Sequence, residues 1–277
     1  MPHSSAHPET AAAGAAAGAA AAAAASADWE AEFLADFVTM SRFGATARGG
    51  VHREAATAAD HQTRAWFAEW LQGHGFEVTR DAIGNQFGLL TFVPGAPYLL
   101  VGSHLDSQPM AGRFDGAYGV LAAAYAACAA RARVERGEIH TRVNLAVVNW
   151  FNEEGSRFTP SMMGSSVFTG KLAAADALAT VDRDGVTVAE ALAQGEVGRL
   201  ADAPTAALYA EIHIEQGRVL ENSGHTIGLV DRTWAASKYR IVVHGEQGHT
   251  GATVMADRKD ALFGAALLIV AARELTE

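Results

Sequence analysis

The stretch Arg142–Ser156, RVNLAVVNWFNEEGS, runs from an apolar core segment straight into two adjacent acids. A short, nearly continuous apolar run of this kind suits a strand buried on both faces, as in a parallel sheet covered by helices. Two ionised carboxylates at the end of such a strand repel one another unless a cation or a proton compensates them. Successive side chains on an extended segment point to opposite sides, so Glu153 and Glu154 can serve different partners. An exposed loop is the other reading, but the apolar run ahead of the pair argues for depth.

Outward from this strand, the chain alternates between strand and helix signals. DWEAEFLADFVTMSRF and AATAADHQTRAWFAEWLQGHG carry helical periodicity, the second with Trp66, Phe67 and Trp70 on one face and glycines at its end. FEVTRDA, GNQFGLLTF and PYLLVGSH read as strands, and residues 116–132 as a helix. The expected fold is α/β: a mixed, mostly parallel sheet flanked by helices. From residue 226 the pattern changes. TIGLVDR and SKYRIVVHG read as strands, the second with Lys238, Arg240 and His244 on a wet face, followed by a helix over ADRKDALFGAALLIVAAREL. The expected domains are therefore a catalytic α/β unit over 28–225 and the start of a smaller α+β unit over 226–277. Residues 1–27 are low-complexity alanine, expected to form a disordered tail. No basic residue or leucine-type block marks that tail as a signal sequence, so a cytoplasmic protein is expected.

The composition narrows the function. Hydrophobic residues make up 49% of the 277, enough for a substantial core, and the net charge of −10 disfavours nucleic acid and anionic membranes as partners. The single cysteine, Cys128, rules out an internal disulfide and a cysteine-based zinc site; its spacing from Val120, Leu121, Ala124 and Tyr125 marks it as a core residue.

Four places combine an apolar run with metal-binding residue types. In LLVGSHLDS, His104 and Asp106 follow a buried strand, where Asp106 can hold the imidazole as carboxylates do at metal sites; a structural His–Asp pair is the plainer alternative. Asp115 lies among Gly112, Gly116 and Gly119, either as a helix N-cap or as a carboxylate in a turn where backbone must approach closely. Glu153 and Glu154 form the third place. In LYAEIHIEQG, Glu211, His213 and Glu215 alternate with Ile212 and Ile214, as on one face of a strand. Imidazole and carboxylate donors without thiolate suit Zn²⁺, Mn²⁺ or Co²⁺. An acid left over beside such a centre is a natural general base for water.

The segments GSHLDSQPMAGRFDGAYGVLAA, NWFNEEGSRFTPSMMGSSVFTG, EIHIEQGRVLE and GEQGHTGATVMADRKDAL resemble, in order, the motifs of the N-carbamoyl-amino-acid amidohydrolases. That family also holds β-ureidopropionase and allantoate amidohydrolase, within the dinuclear metallopeptidase and aminoacylase superfamily. The resemblance implies two divalent ions, zinc foremost with manganese, cobalt or nickel as alternatives. It implies metal ligation by His104, Asp115 (bridging), Glu154 and His213. Asp106 would orient His104, and Glu153 would be the general base. Gln216 would contact the substrate, and His249 would assist at the oxyanion from a lid that also forms a homodimer. The implied substrate is a small N-carbamoyl or ureido compound.

Arg218 and Val254 stand where the family often has proline, which bears on substrate preference. The family's chains also continue beyond the segment matched here, through a last His ligand and an Asn and Arg that grip the substrate carboxylate, so a C-terminally truncated, inactive metal- or partner-binding fragment is one alternative. Allantoate hydrolysis is another. An aminoacylase or peptidase of the wider superfamily is the third, disfavoured by the imidazole of HIEQG.

Overall fold

The structure is a computed structural model that describes residues 29–195, 197–233 and 239–275. The alanine-rich stretch lies outside them. The described chain divides into two compact units, one through Gly217 and one from Arg218.

The first unit carries helix α1 (29–40), α2 (Ala58–Gly73), β1 (Glu77–Arg80), β2 (Gln86–Leu90), β3 (Tyr98–His104), α3 (Ala117–Glu135) and β4 (Asn144–Trp150). Short helices α4 (Met163–Phe168), α5 (Ala174–Ala179) and α6 (Val188–Leu192) follow, then β5 (Arg199–Leu200) and β6 (Ala206–Ala210). The strands form one six-stranded sheet in the order β5-β1-β2-β4-β3-β6. β4 runs parallel to β3, and β3 parallel to β6, while β2 is antiparallel to both β1 and β4. The sheet is thus mixed: β5 is parallel to β1 at one edge, and the parallel set β4-β3-β6 lies where the polar motifs are.

β4 sits inside the sheet, and its apolar run is explained by burial on both faces. Val147 packs with Phe67, Leu71, Val120, Leu121 and Ala124 from α2 and α3. Ala146, Val148 and Trp150 pack on the other side with Phe87 and Leu100. Side chains of this size contribute about 1.5–3 kcal/mol each when fully buried, which makes this strand the anchor of the sheet. Cys128 is buried in the α2/α3 cluster, and burial pushes its thiol up, so it is the core residue its spacing indicates.

β3 and β4 are in register to their last residues, with His104 opposite Trp150. Their polar continuations therefore leave the sheet side by side. β6 differs from expectation. Its ladder with β3 ends at Val101 opposite Ala210, so Glu211, His213 and Glu215 do not lie on a paired strand. Beyond Ala210 a side chain makes the link to β3, the Ser103 hydroxyl donating to the Glu211 carboxylate.

The second unit holds α7 (Val219–Ser223), a 3-10 turn (Met255–Asp257) and α8 (Ala261–Glu274). α8 begins later than its apolar pattern suggests because Asp260 caps it, Oδ1 accepting the Phe263 N–H at 3.0 Å. The strands expected over 226–232 and 237–245 are absent among the described residues; Lys238 lies outside those. Alternating sequence favours an extended chain, but a strand exists only where a second segment pairs with its backbone. Leu229, Tyr239 and Ile241 are exposed in this unit rather than packed as sheet residues.

Candidate metal centre

Three parallel strand ends converge on one place. β3 delivers His104 and, after one residue, Asp106. β4 delivers Glu153 and Glu154, and β6 leads to His213. The carboxyl ends of parallel strands are where open α/β sheets bind ligands, because the connections diverge there.

His104, Asp115 and His213 come together, with ligand atoms all within 4.8 Å of one another. His213 Nε2 stands 3.2 Å from Asp115 Oδ1, and the two imidazole rings are 5.9 Å apart at 28°. In both rings Nδ1 is turned to an oxygen. His104 Nδ1 donates to the Asp106 carbonyl at 3.0 Å, with Asp106 Oδ1 at 3.6 Å, and His213 Nδ1 donates to the Ile214 carbonyl at 2.8 Å. Each ring thereby keeps Nε2 for the shared space, the tautomer that outer hydrogen bonds impose on metal-binding histidines.

Asp115 does not cap α3. Gly116 holds the N-cap position at φ 63°, without a side-chain cap. The glycine is required by close approach: a Cβ there would stand 2.4 Å from His104 Nε2 and Cδ2. Gly119 serves the same segment differently, since its Cβ would stand 2.2 Å from the Ile212 carbonyl oxygen. Of the three glycines in the motif, Gly112 has open space around it.

The glutamate pair is separated by a turn rather than by strand alternation. β4 ends at Trp150, and Asn152 takes a left-handed φ of 48°. Asn tolerates that region better than most residues, and its side chain donates to the Phe158 and Pro160 carbonyls at 2.8 and 3.2 Å. Glu153 then faces His104, Oε2 to Nε2 at 3.5 Å. Glu154 accepts from Gln108 at 2.9 Å, and its other oxygen is buried with no hydrogen-bond partner among the described residues. Glu154 is not in the three-residue cluster. Gln216 is close by, its amide donating to Asp115 Oδ2. His249 lies in the second unit, where Nδ1 accepts the N–H groups of Gly251 and Ala252 at 3.1 and 3.0 Å.

Burial opposes a charge on His104, but its hydrogen bond to Asp106 and the charges of Asp106 and Glu153 outweigh that and push it up to about 9. Burial pushes the Glu153 carboxyl up; His104 draws it down, while Asp106, Glu154 and Glu211 add to the upward push. Burial is the larger cause at Glu153, and the neighbouring carboxylates add to it; at His104 the carboxylates of Asp106 and Glu153 favour the positive charge.

Sequence reading did not single out the supports. Gln108 holds Glu154. Arg53, buried, donates through Nε to the Leu105 carbonyl at 2.8 Å and through Nη1 to the Met40 carbonyl at 3.1 Å. Its backbone N–H donates to Ser107 Oγ at 3.1 Å, so the turn carrying Asp106 is fixed from beneath. Their contacts span long sequence distances, and only an adjacency to the HLDS motif could have flagged Gln108.

No protein-family profile matches the sequence. Individual proteins do. The chain is 59% identical over 244 residues to a Mycolicibacterium smegmatis protein described in general terms as a hydrolase, covering 86% of this chain and 56% of that one. It is 35% identical over 227 residues to an N-carbamoyl-L-amino-acid amidohydrolase of Rhizobium meliloti, covering 80% and 53%. Among solved structures, a hydantoinase/carbamoylase family amidase from Burkholderia ambifaria superposes with a TM-score of 0.64 at 41% identity, covering 87% and 58%. The chain thus spans a little over half the length of the relatives it matches. With the motifs in order, the mixed sheet and these likenesses agreeing, the chain belongs to the family of N-carbamoyl-L-amino-acid amidohydrolases and hydantoinase/carbamoylase amidases.

Proposed function

We propose that this protein is a divalent-metal-dependent amidohydrolase that cleaves the ureido C–N bond of an N-carbamoyl amino acid. One observation carries the reading: a ring nitrogen of His104, a ring nitrogen of His213 and a carboxylate oxygen of Asp115 converge within 4.8 Å, with Glu153 beside His104. The residues fit a metal. Both rings turn Nδ1 to a carbonyl, no thiolate is present, and the buried oxygen of Glu154 that has no partner among the described residues is a natural contact for a cation. His104, Asp115 and His213 would hold one ion, and Glu154 would contribute to a second beside it. Nitrogen and oxygen donors of this kind suit zinc, with manganese, cobalt or nickel also accommodated.

A bound divalent ion supplies two things: it acidifies water and polarises a carbonyl. The chain's own groups do the rest. Glu153 takes a proton from the attacking water as its oxygen adds to the ureido carbon. Glu153 then gives that proton to the departing amino-acid nitrogen as the C–N bond breaks. The released carbamate decomposes to ammonia and carbon dioxide. Burial raises the proton affinity of this carboxyl, which favours its taking a proton from water and holding it for the departing nitrogen. Asp106 holds His104 throughout, and Gln216 offers an amide to the substrate's polar head. His249 accepts at Nδ1 from two backbone N–H groups, so its proton is on Nε2, the form that can donate to an oxyanion.

The test is ammonia and amino-acid release from a panel of N-carbamoyl amino acids, allantoate, dipeptides and N-acetyl amino acids, with metal content measured in parallel. N-carbamoyl amino acids should turn over fastest, and only in metal-loaded protein. Faster dipeptide cleavage, or undiminished turnover in a verified metal-free sample, overturns the reading.

A further inference from the structure

Glu211 has no role in the ligand set above, yet its carboxylate joins the ends of all three site strands. Oε1 accepts the hydroxyl of Ser103, the residue before His104. Oε2 accepts the hydroxyl of Tyr209 at 2.6 Å, and that hydroxyl accepts the Trp150 indole N–H at 3.0 Å. Ser103 is on β3, Trp150 ends β4, and Glu211 follows β6. The carboxylate therefore stands where the sheet's own ladder stops, since backbone pairing of β6 with β3 ends at Ala210. Every residue of β6 is exposed, so apolar packing contributes little to holding the segment that carries His213. The segment is held by the Glu211 network, by Tyr209 against the Gly102 carbonyl and the Trp150 ring, by the Gly119 seat for the Ile212 carbonyl, and by the contacts of Gln216 and His213 with Asp115.

We infer that Glu211 is a positioning residue for the metal centre, a strap that sets His213 opposite His104 by tying its segment to Ser103. Hydrogen bonds to an ionised carboxylate are roughly twice as strong as neutral ones, and here two converge on one side chain. Short links on both sides, Ser103 directly to His104 and Glu211 to His213 through Ile212, make the strap short enough to fix the 5.9 Å spacing of the rings. The inference rests on the metal-centre reading and adds a residue outside the proposed ligand set.

The experiment measures the zinc dissociation constant of the whole chain by competition with a chromophoric chelator, alongside the thermal midpoint of the metal-free protein. Glu211→Ala should weaken zinc binding about 10–100-fold, the usual effect of losing an outer-shell support. Glu211→Gln, which keeps an acceptor oxygen, should recover most of that loss. Ser103→Ala should weaken binding too, and the double variant should lose less than the sum, because one contact is removed twice. Wild-type affinity in Glu211→Ala, or a loss no larger than the fall in its folded fraction, overturns the inference. If the wild-type chain itself takes up no zinc while folded, the metal-centre reading fails and the strap with it.

Discussion

Asp106 accepts the backbone N–H of Glu153 at 3.2 Å through Oδ1, the same oxygen that stands 3.6 Å from His104 Nδ1. Its second oxygen accepts the N–H of Glu154, also at 3.2 Å. One buried carboxylate thus fixes the imidazole of one strand end and the turn of the next. Asp106→Ala would strand two backbone donors and remove the carboxylate beside the ring, which would keep only its bond to the carbonyl of residue 106. Leaving a buried donor unsatisfied costs about 1–3 kcal/mol, so the variant should lose on the order of 3 kcal/mol in denaturant unfolding. Asp106→Asn, with one acceptor left, should lose less stability but still weaken metal binding. An Ala variant as stable as wild type would show that the brace carries no energy.

Glu153 and Glu154 are adjacent in sequence but occupy different surroundings, one against His104 and the other against Gln108. Glu153→Gln should therefore retain metal and lose about 10²–10⁴-fold in turnover, the usual worth of general acid–base catalysis. Glu154→Gln should lose metal first and activity as a consequence. Metal analysis of each purified variant next to its rate separates the two roles. A Glu153→Gln protein that loses metal while Glu154→Gln keeps it would reverse them.

How far the sequence could reach is clear from these same residues. β4 was legible because burial on both faces forces an apolar run, and His104, Asp106 and Glu153 were legible because they follow such runs. The turn at Asn152 was not, since an extended reading separates the glutamates equally well. Nor was the end of β6 at Ala210: Glu211, His213 and Glu215 alternate with isoleucines as a strand would, but pairing depends on what lies alongside. The same limit explains 226–232 and 237–245, where alternation is present without a ladder among the described residues. Arg53 and Glu211 were beyond reach as supports because their partners are distant in the chain or on other strands.

The glycines of GRFDGAYG give a sharp contrast. A methyl at Gly116 would meet His104 at 2.4 Å, at a φ of 63° that L residues rarely adopt, whereas Gly112 has nothing within 4 Å. Gly116→Ala should cost about 1–3 kcal/mol, as overpacking does, and weaken zinc binding by displacing the ring. Gly112→Ala should leave both unchanged. Equal zinc affinity in the two variants would mean that the His104 ring does not need the Gly116 seat.

Metal binding itself should be visible as stability. A ligand that binds only the folded state stabilises it by RT ln(1 + [L]/Kd), about 2.7 kcal/mol at a hundredfold excess over Kd. His104 is buried in the first unit and Asp115 half-buried, so an ion held there with His213 would link the end of β3 and the segment after β6 to the turn before α3. Zinc added to the metal-free chain should raise its thermal midpoint, and a chelator should reverse the rise. His213→Ala removes a ligand from an exposed segment without opening the core, so its metal-free midpoint should match wild type while the zinc-induced rise disappears. Asp115→Asn should behave alike, because the amide removes the negative charge that balances the ion. Persistence of the full zinc-induced rise in both variants would place the ion elsewhere and remove the basis for the proposed centre.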